Sequence, residues 1–153
     1  MPRVVVLATD FSDAARRALG LVARLASSAP TEVTVVHVLS DSGVSSLLGG
    51  ITTPTSTVAE RMTAARLALD SWVDRLLRCG VPATGCVLVG PLAGSLLALC
   101  SELGASLLVV GTTPGTGLHN VLTGSVSRRV LADARLPVML VPGRVRRGRK
   151  GAA

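Results

Sequence analysis

Aromatic side chains are nearly missing from this chain. Trp72 and Phe11 are the whole set, with no tyrosine among 153 residues. A protein that holds single-stranded nucleic acid by stacking bases needs a series of exposed rings, and two do not make one. Lysine is almost as scarce, the first being Lys150. That excludes the phosphate loop GxxxxGK[ST]; GxGxxG is missing as well, so neither a P-loop NTPase nor a dinucleotide site is indicated. No apolar run reaches the roughly 18 residues that a spanning helix needs. The run from Val4 to Ala8 is too short for the core of an export signal and stops before Asp10. The expected location is the cytoplasm, with no membrane partner. Cys79, Cys86 and Cys100 make no CxxC or zinc spacing and are read as buried, reduced thiols. No carboxylate pair, Ser/His/Asp pattern or metal-ligand spacing stands out, so no catalytic or metal-ligating residue is assigned.

Hydrophobic residues make up 48% of the chain and charged residues 16%, which argues for a folded domain with a substantial core. The length suits one domain. The net charge of +7 is unevenly spread. Arg144, Arg146, Arg147, Arg149 and Lys150 lie in the tail, leaving 11 basic against 9 acidic residues in positions 1–143. The expected organisation is a domain over 1–143 and a solvated, disordered basic tail over 144–153. Such a tail attracts polyanions without reading bases, so specific nucleic-acid binding is not expected.

Along the chain, apolar strand patterns alternate with helical ones. Arg3 to Ala8 is a β-branched run. Asp10-Phe11-Ser12-Asp13 follows as a cap, then Ala15, Leu19, Val22, Leu25 and Ala26 at helical spacing. Glu32 to Leu39 predicts a second strand, and Ser40 to Ser56 a long loop. Val58, Met62, Ala65, Leu69, Trp72, Val73 and Leu76 make one face of a helix from Thr57 to Arg78, stopped by Gly80 and Pro82. Ala83 to Val89 is a third strand, and Pro91 to Leu103 a helix ended by Gly104. Leu107 to Val110 is a buried strand, Ser125 to Ala134 a short helix, and Val138 to Val141 a last strand between two prolines.

This alternation predicts an α/β fold: one open, twisted, parallel five-stranded sheet with helices on both faces. In such sheets ligands bind beyond the carboxyl ends of the strands, where strand order reverses. Ala8 to Ser12, Val38 to Ser40 and the stretch GTTPGTGLHNVLTGS, residues 111–125, should meet there. The last of these is rich in glycine, which lets backbone N–H groups approach an anion closely. A helix starting at Gly124-Ser125 adds its own unpaired N–H groups, with the Ser125 and Ser127 hydroxyls as further donors. The residues alone leave a phosphate cradle and a simple connection both open. Asp10 has two readings as well, ligand contact or cap of the first helix with Ser12. His37, inside a strand, is read as a structural histidine. His119 lies in the glycine-rich stretch and is given no role.

Thr9-Asp10-Phe11-Ser12, Val36-His37-Val38, Gly90-Pro91, Leu107 to Gly111, Gly124-Ser125-Val126-Ser127 and Pro137-Val138 together resemble the universal stress protein family, over residues 3–142. The family's signature is Gly, two residues, Gly, nine residues, then Gly-Ser or Gly-Thr. Gly111 and Gly124-Ser125 match its ends, whereas Pro114 stands at the second glycine and Ser106 where strand four commonly begins with Asp. The resemblance implies a Rossmann-like sheet of the adenine nucleotide alpha hydrolase type. It also implies a site for ATP or another adenine nucleotide, with Mg²⁺ held mainly through the phosphates. Asp10 and Val38 would contact adenine or ribose, lined by Ala8 and Thr9. Val110, Gly111 and Thr113 would approach ribose and phosphates, and Gly124, Ser125, Val126 and Ser127 would hold the phosphate chain. Gly115 or Gly117, which follow at once, would supply the N–H group that Pro114 lacks.

The expected function is a nucleotide-binding switch in a stress response, with at most slow ATP hydrolysis or self-phosphorylation. The alternative is a dimeric interaction protein with a degenerate pocket. In both, the resemblance implies a homodimer through Val138 to Val141.

Overall fold

The computed structural model describes residues 1–39, 57–112 and 125–144. Five strands and four helices alternate: β1 (Arg3–Ala8), α1 (Asp13–Ala26), β2 (Thr31–Leu39), α2 (Val58–Arg78), β3 (Ala83–Val89), α3 (Leu92–Glu102), β4 (Leu107–Thr112), α4 (Ser125–Asp133) and β5 (Val138–Pro142). The sheet order is β3-β2-β1-β4-β5, every pair parallel. Parallel strands need a crossover between each pair, and the helices supply it while covering both faces. Because β1 lies between β2 and β4, the chain order reverses there, and in sheets of this kind ligands bind at the carboxyl edge of such a reversal.

Side-chain alternation along the strands divides the core into two layers. Val5, Leu7, Val33, Val35 and Val109 pack beneath α1 and α2, with Leu19, Leu69, Trp72 and Leu76. Val6, Ala8, Val36 and Leu108 pack against α3 and α4, with Leu96, Cys100 and Val130. Central strands buried on both faces explain why β1 reads as an unbroken apolar run.

Helix ends follow local chemistry. Ser12 caps α1, its hydroxyl accepting from the Ala15 N–H at 3.2 Å. At α2, Thr57 and Glu60 form a reciprocal capping box. Thr57→Ala should lower stability by about 1 kcal/mol, or roughly 2–4 °C in a thermal melt of a domain this size; an unchanged melt would deny the cap its role. α2 ends in a Schellman motif: Val81 N–H donates to Leu76 O at 3.0 Å and Gly80 N–H to Leu77 O at 2.9 Å. Gly80 adopts φ +75°, a conformation that favours glycine. α3 stops at Gly104 in the same way, with Ala105 N–H donating to Cys100 O at 2.8 Å and Gly104 N–H to Ser101 O at 3.2 Å.

Several expectations are corrected. β4 runs two residues beyond Val110, because Gly111 and Thr112 pair with Val141 and Pro142 of β5. Pro91 is the N-cap of α3 rather than part of its first turn. Val58 and Leu25 carry the right spacing but are 47% and 45% exposed, since each sits in a terminal turn that the core does not cover. Cys79, at the end of α2, is exposed and Cys86 is only partly buried; Cys100 alone is buried. Burial pushes the Cys86 and Cys100 thiols up, with the Glu102 charge adding to the rise at Cys86. Both are therefore poor nucleophiles at neutral pH. The long loop at 40–56 and the tail beyond Arg144 lie outside the described residues. Among the described residues no helix is long and apolar enough to cross a membrane.

Candidate functional site

The register brings the carboxyl ends of three strands side by side. Ala8 pairs with Val36 on one side and Val110 on the other. Ala8 belongs to the core layer under α3 and α4, and Val38 and Val110 pack against that layer. Three of the residues picked from the sequence thus share one face at one edge. Their small or β-branched apolar side chains suit the flat surface of a base or sugar better than a charge.

α4 reaches the same edge by topology. β4 ends at the carboxyl edge and β5, parallel to it, begins at the other, so the helix between them must run back and start at the carboxyl side. Ser125, Val126 and Ser127 are its first three residues. The first N–H groups of a helix lack partners within it and carry the positive end of its dipole, which suits an anion. Val130, one turn further on, is fully buried with Ala8, Val36 and Leu108, so α4 is seated on the face that carries Ala8. Thr113, Gly115 and Gly124, with Pro114 and His119, lie outside the described residues.

Beyond β1 the chain turns sharply. Thr9 is 6% exposed and donates its N–H to Val36 O at 2.9 Å. Its hydroxyl accepts from Phe11 N–H at 2.9 Å, and the Asp10 carboxylate accepts from Ser12 N–H at 2.9 Å. Asp10 therefore supports the helix start, as one of its two readings had it, while remaining exposed. Phe11 sits at φ 62°, which a bulky side chain seldom adopts. Its ring lies 4.8 Å from that of His37 and 5.7 Å, edge-on, from Trp72. His37 Nδ1 is 2.7 Å from the Thr9 carbonyl oxygen. A carbonyl only accepts, so Nδ1 carries the hydrogen and donates it. The structural reading of His37 holds.

Gly111 has an occupation of its own. A Cβ added there would lie 2.5 Å from the Ala15 nitrogen and 2.7 Å from the Ala14 carbonyl carbon. The backbone of β4 thus touches the backbone of α1, and only glycine fits between them. Two residues at this edge have no site role in the sequence reading. Phe11 looked like an ordinary apolar residue inside a cap, and nothing local signals its left-handed backbone. Thr112 is 6% exposed, and its hydroxyl has no partner among the described residues; one threonine beside another in a glycine-rich stretch gave no reason to choose it.

No three of His, Cys, Asp and Glu among the described residues are grouped so as to hold a metal ion. One groove among those residues, of about 540 Å³, is at the opposite, amino-terminal edge, between Ser27, Ser28, Glu32, Cys79 and Pro82. It borders none of the residues picked from the sequence for the nucleotide site.

Known proteins share this architecture. Universal stress protein YxiE of Bacillus subtilis is 29% identical over 143 residues, covering 90% of this chain and 97% of that protein. The structure of a universal stress protein from Archaeoglobus fulgidus in complex with dAMP superposes with a TM-score of 0.65 at 25% identity, over 92% of this chain and 98% of that one. A universal stress family protein from Burkholderia pseudomallei gives a TM-score of 0.66 at 27% identity, over 92% and 96%. The family itself matches residues 1–142. With its five parallel strands, its reversal of order between β1 and β4 and a match over nearly its whole length, this chain belongs to the universal stress protein family.

Proposed function

We propose that the protein binds an adenine nucleotide at the carboxyl edge between β1 and β4 and acts in the cytoplasm as a nucleotide-dependent switch in a stress response. The observation that carries this reading is the convergence of Ala8, Val38 and Val110 on the face where α4 is seated. Apolar surface for the base and helix N–H groups for phosphate are the two halves of a nucleotide site. The dAMP complex of the Archaeoglobus relative supports the same ligand chemistry.

In this reading Asp10, Val38, Ala8 and Thr9 flank adenine and ribose. Val110, Gly111 and Thr113 lead toward the phosphates, which Gly124, Ser125, Val126 and Ser127 hold, with Gly115 offering the N–H that Pro114 cannot. ATP is the preferred ligand, and Mg²⁺ travels with it on the phosphates. The protein's own part is to bind and orient, with hydrolysis or self-phosphorylation at most slow. The edge position of β5 supports a homodimer through Val138 to Val141, since an apolar edge strand is protected by pairing. Arg17, donating to Pro142 O at 2.7 Å, anchors the end of that strand to α1.

A second reading rests on Pro114, which has no N–H and fixes φ near −65°. On it the pocket is degenerate and the dimer acts alone. Calorimetric titration with ATP, ADP, AMP and cyclic AMP separates the two: heat with saturation supports the switch, and none at high protein concentration leaves the dimer. Pro114→Gly, which restores the family signature, should tighten ATP binding about 10- to 100-fold by returning one charge-assisted bond. An unchanged affinity would mean that the loop already finds its donor elsewhere.

A further inference from the structure

The turn after β1 is held by three bonds of short reach and two of long reach. Phe11 N–H to Thr9 Oγ1, Ser12 N–H to Asp10 Oδ1 and Ala15 N–H to the Ser12 hydroxyl span two or three residues. Thr9 N–H to Val36 O extends the β1–β2 ladder by one rung. Among the described residues, only the bond from His37 Nδ1–H to the Thr9 carbonyl reaches the turn through a side chain of another element, 28 residues away. The same imidazole lies 4.8 Å from the Phe11 ring at an interplanar angle of 34°, and Trp72 closes the other contact of that ring at 5.7 Å. His37 thus touches both the carbonyl that fixes the Thr9–Asp10 peptide and the side chain of the residue with the left-handed backbone.

We propose that His37 is a positioning residue for the nucleotide edge: it sets the direction of the Thr9–Asp10 peptide, and with it the placement of Asp10 and of the start of α1. The proposal rests on the nucleotide reading for its functional consequence, not for its geometry. Rotation of the Thr9–Asp10 peptide would swing the Asp10 backbone N–H and the path to its carboxylate. The local bonds cannot resist this, because they move with the turn, and the Thr9 N–H bond to Val36 O fixes the preceding Ala8–Thr9 peptide instead. Left without its donor, the Thr9 carbonyl, in a residue 6% exposed, would turn toward water. The strained φ at Phe11 is then free to relax.

Two variants test this. His37→Leu removes the donor and keeps an apolar side chain. His37→Asn places an amide N–H close to where Nδ1–H stands. Two quantities are read: ATP affinity by calorimetry, and hydrogen exchange of the Phe11 and Ser12 amides, with the Leu7 amide of β1 as the internal measure of global stability. His37→Leu is expected to weaken ATP binding about tenfold and to speed exchange at Phe11 and Ser12 by a similar factor relative to Leu7. His37→Asn should return both to within about threefold of the native protein, on the strength of the single restored bond. A Leu variant that exchanges like the native protein, or an Asn variant no better than Leu, overturns the proposal. If the native protein binds no nucleotide, the functional reading falls, and the exchange of the turn amides still decides the role of His37.

Discussion

Gly111→Ala should destabilise the fold by about 3 kcal/mol or more, the upper end of what one added methyl does in a packed interior. The cause is the place of β4. An alanine Cβ would stand 2.5 Å from the Ala15 nitrogen and 2.9 Å from its Cα, both backbone atoms of the first turn of α1. Rotamers cannot relieve a collision with backbone, so the helix or the strand must move. α1 is held on one side by the Ser12 cap and on the other by Ala15, Ala18, Leu19 and Val22, each at most 2% exposed. β4 is locked between β1 and β5. A thermal midpoint lower by roughly 6–12 °C is expected, with the loss present in the absence of any ligand. A variant as stable as the native protein would mean that the strand and helix are less closely seated. The result also bears on the family signature: its first glycine is required here by packing, whatever it does for phosphate.

Gly124→Val is expected to act the other way, sparing the fold and removing the ligand. Gly124 immediately precedes α4, and a β-branched side chain there sets bulk where phosphate oxygens would meet the first N–H groups of the helix. Loss of two charge-assisted bonds at about 1.5–3 kcal/mol each corresponds to at least a 100-fold fall in ATP affinity. The melting midpoint should stay within a few degrees, since β4 ends at Thr112 and α4 begins only at Ser125. Calorimetry and a thermal melt on one preparation check both halves. Unchanged affinity would move the phosphate site away from α4.

Most of the architecture was legible because its signals are local. β1, β3 and the body of β2 are largely apolar runs, each strand preceded directly by a proline, and α2 is a 21-residue amphipathic helix with its own cap and stop. The convergence of Ala8, Val38 and Val110 followed from a rule about parallel sheets applied to those runs. What stayed hidden depends on partners distant in sequence. Gly111 and Thr112 look like the start of a loop until β5 pairs with them. Leu25 and Val58 fit the helical period, yet their turns extend past the core. Cys79 resembles the other two thiols until α2 is seen to end at the surface. The left-handed Phe11 and the His37 bond to Thr9 have no local signature, because a residue after β1 meets a residue near the end of β2 only once the sheet has formed.

The central claim is that an adenine nucleotide binds where β1 and β4 part. Chemical-shift mapping of the backbone amides during titration with Mg²⁺-ATP tests it most directly. The account predicts saturable shifts at Thr9 and Asp10, at Val38, at Val110 and at Ser125 to Ser127, with the groove between Ser27, Ser28 and Pro82 at the opposite edge unaffected. Shifts confined to that groove, or none at saturating ATP, would contradict it.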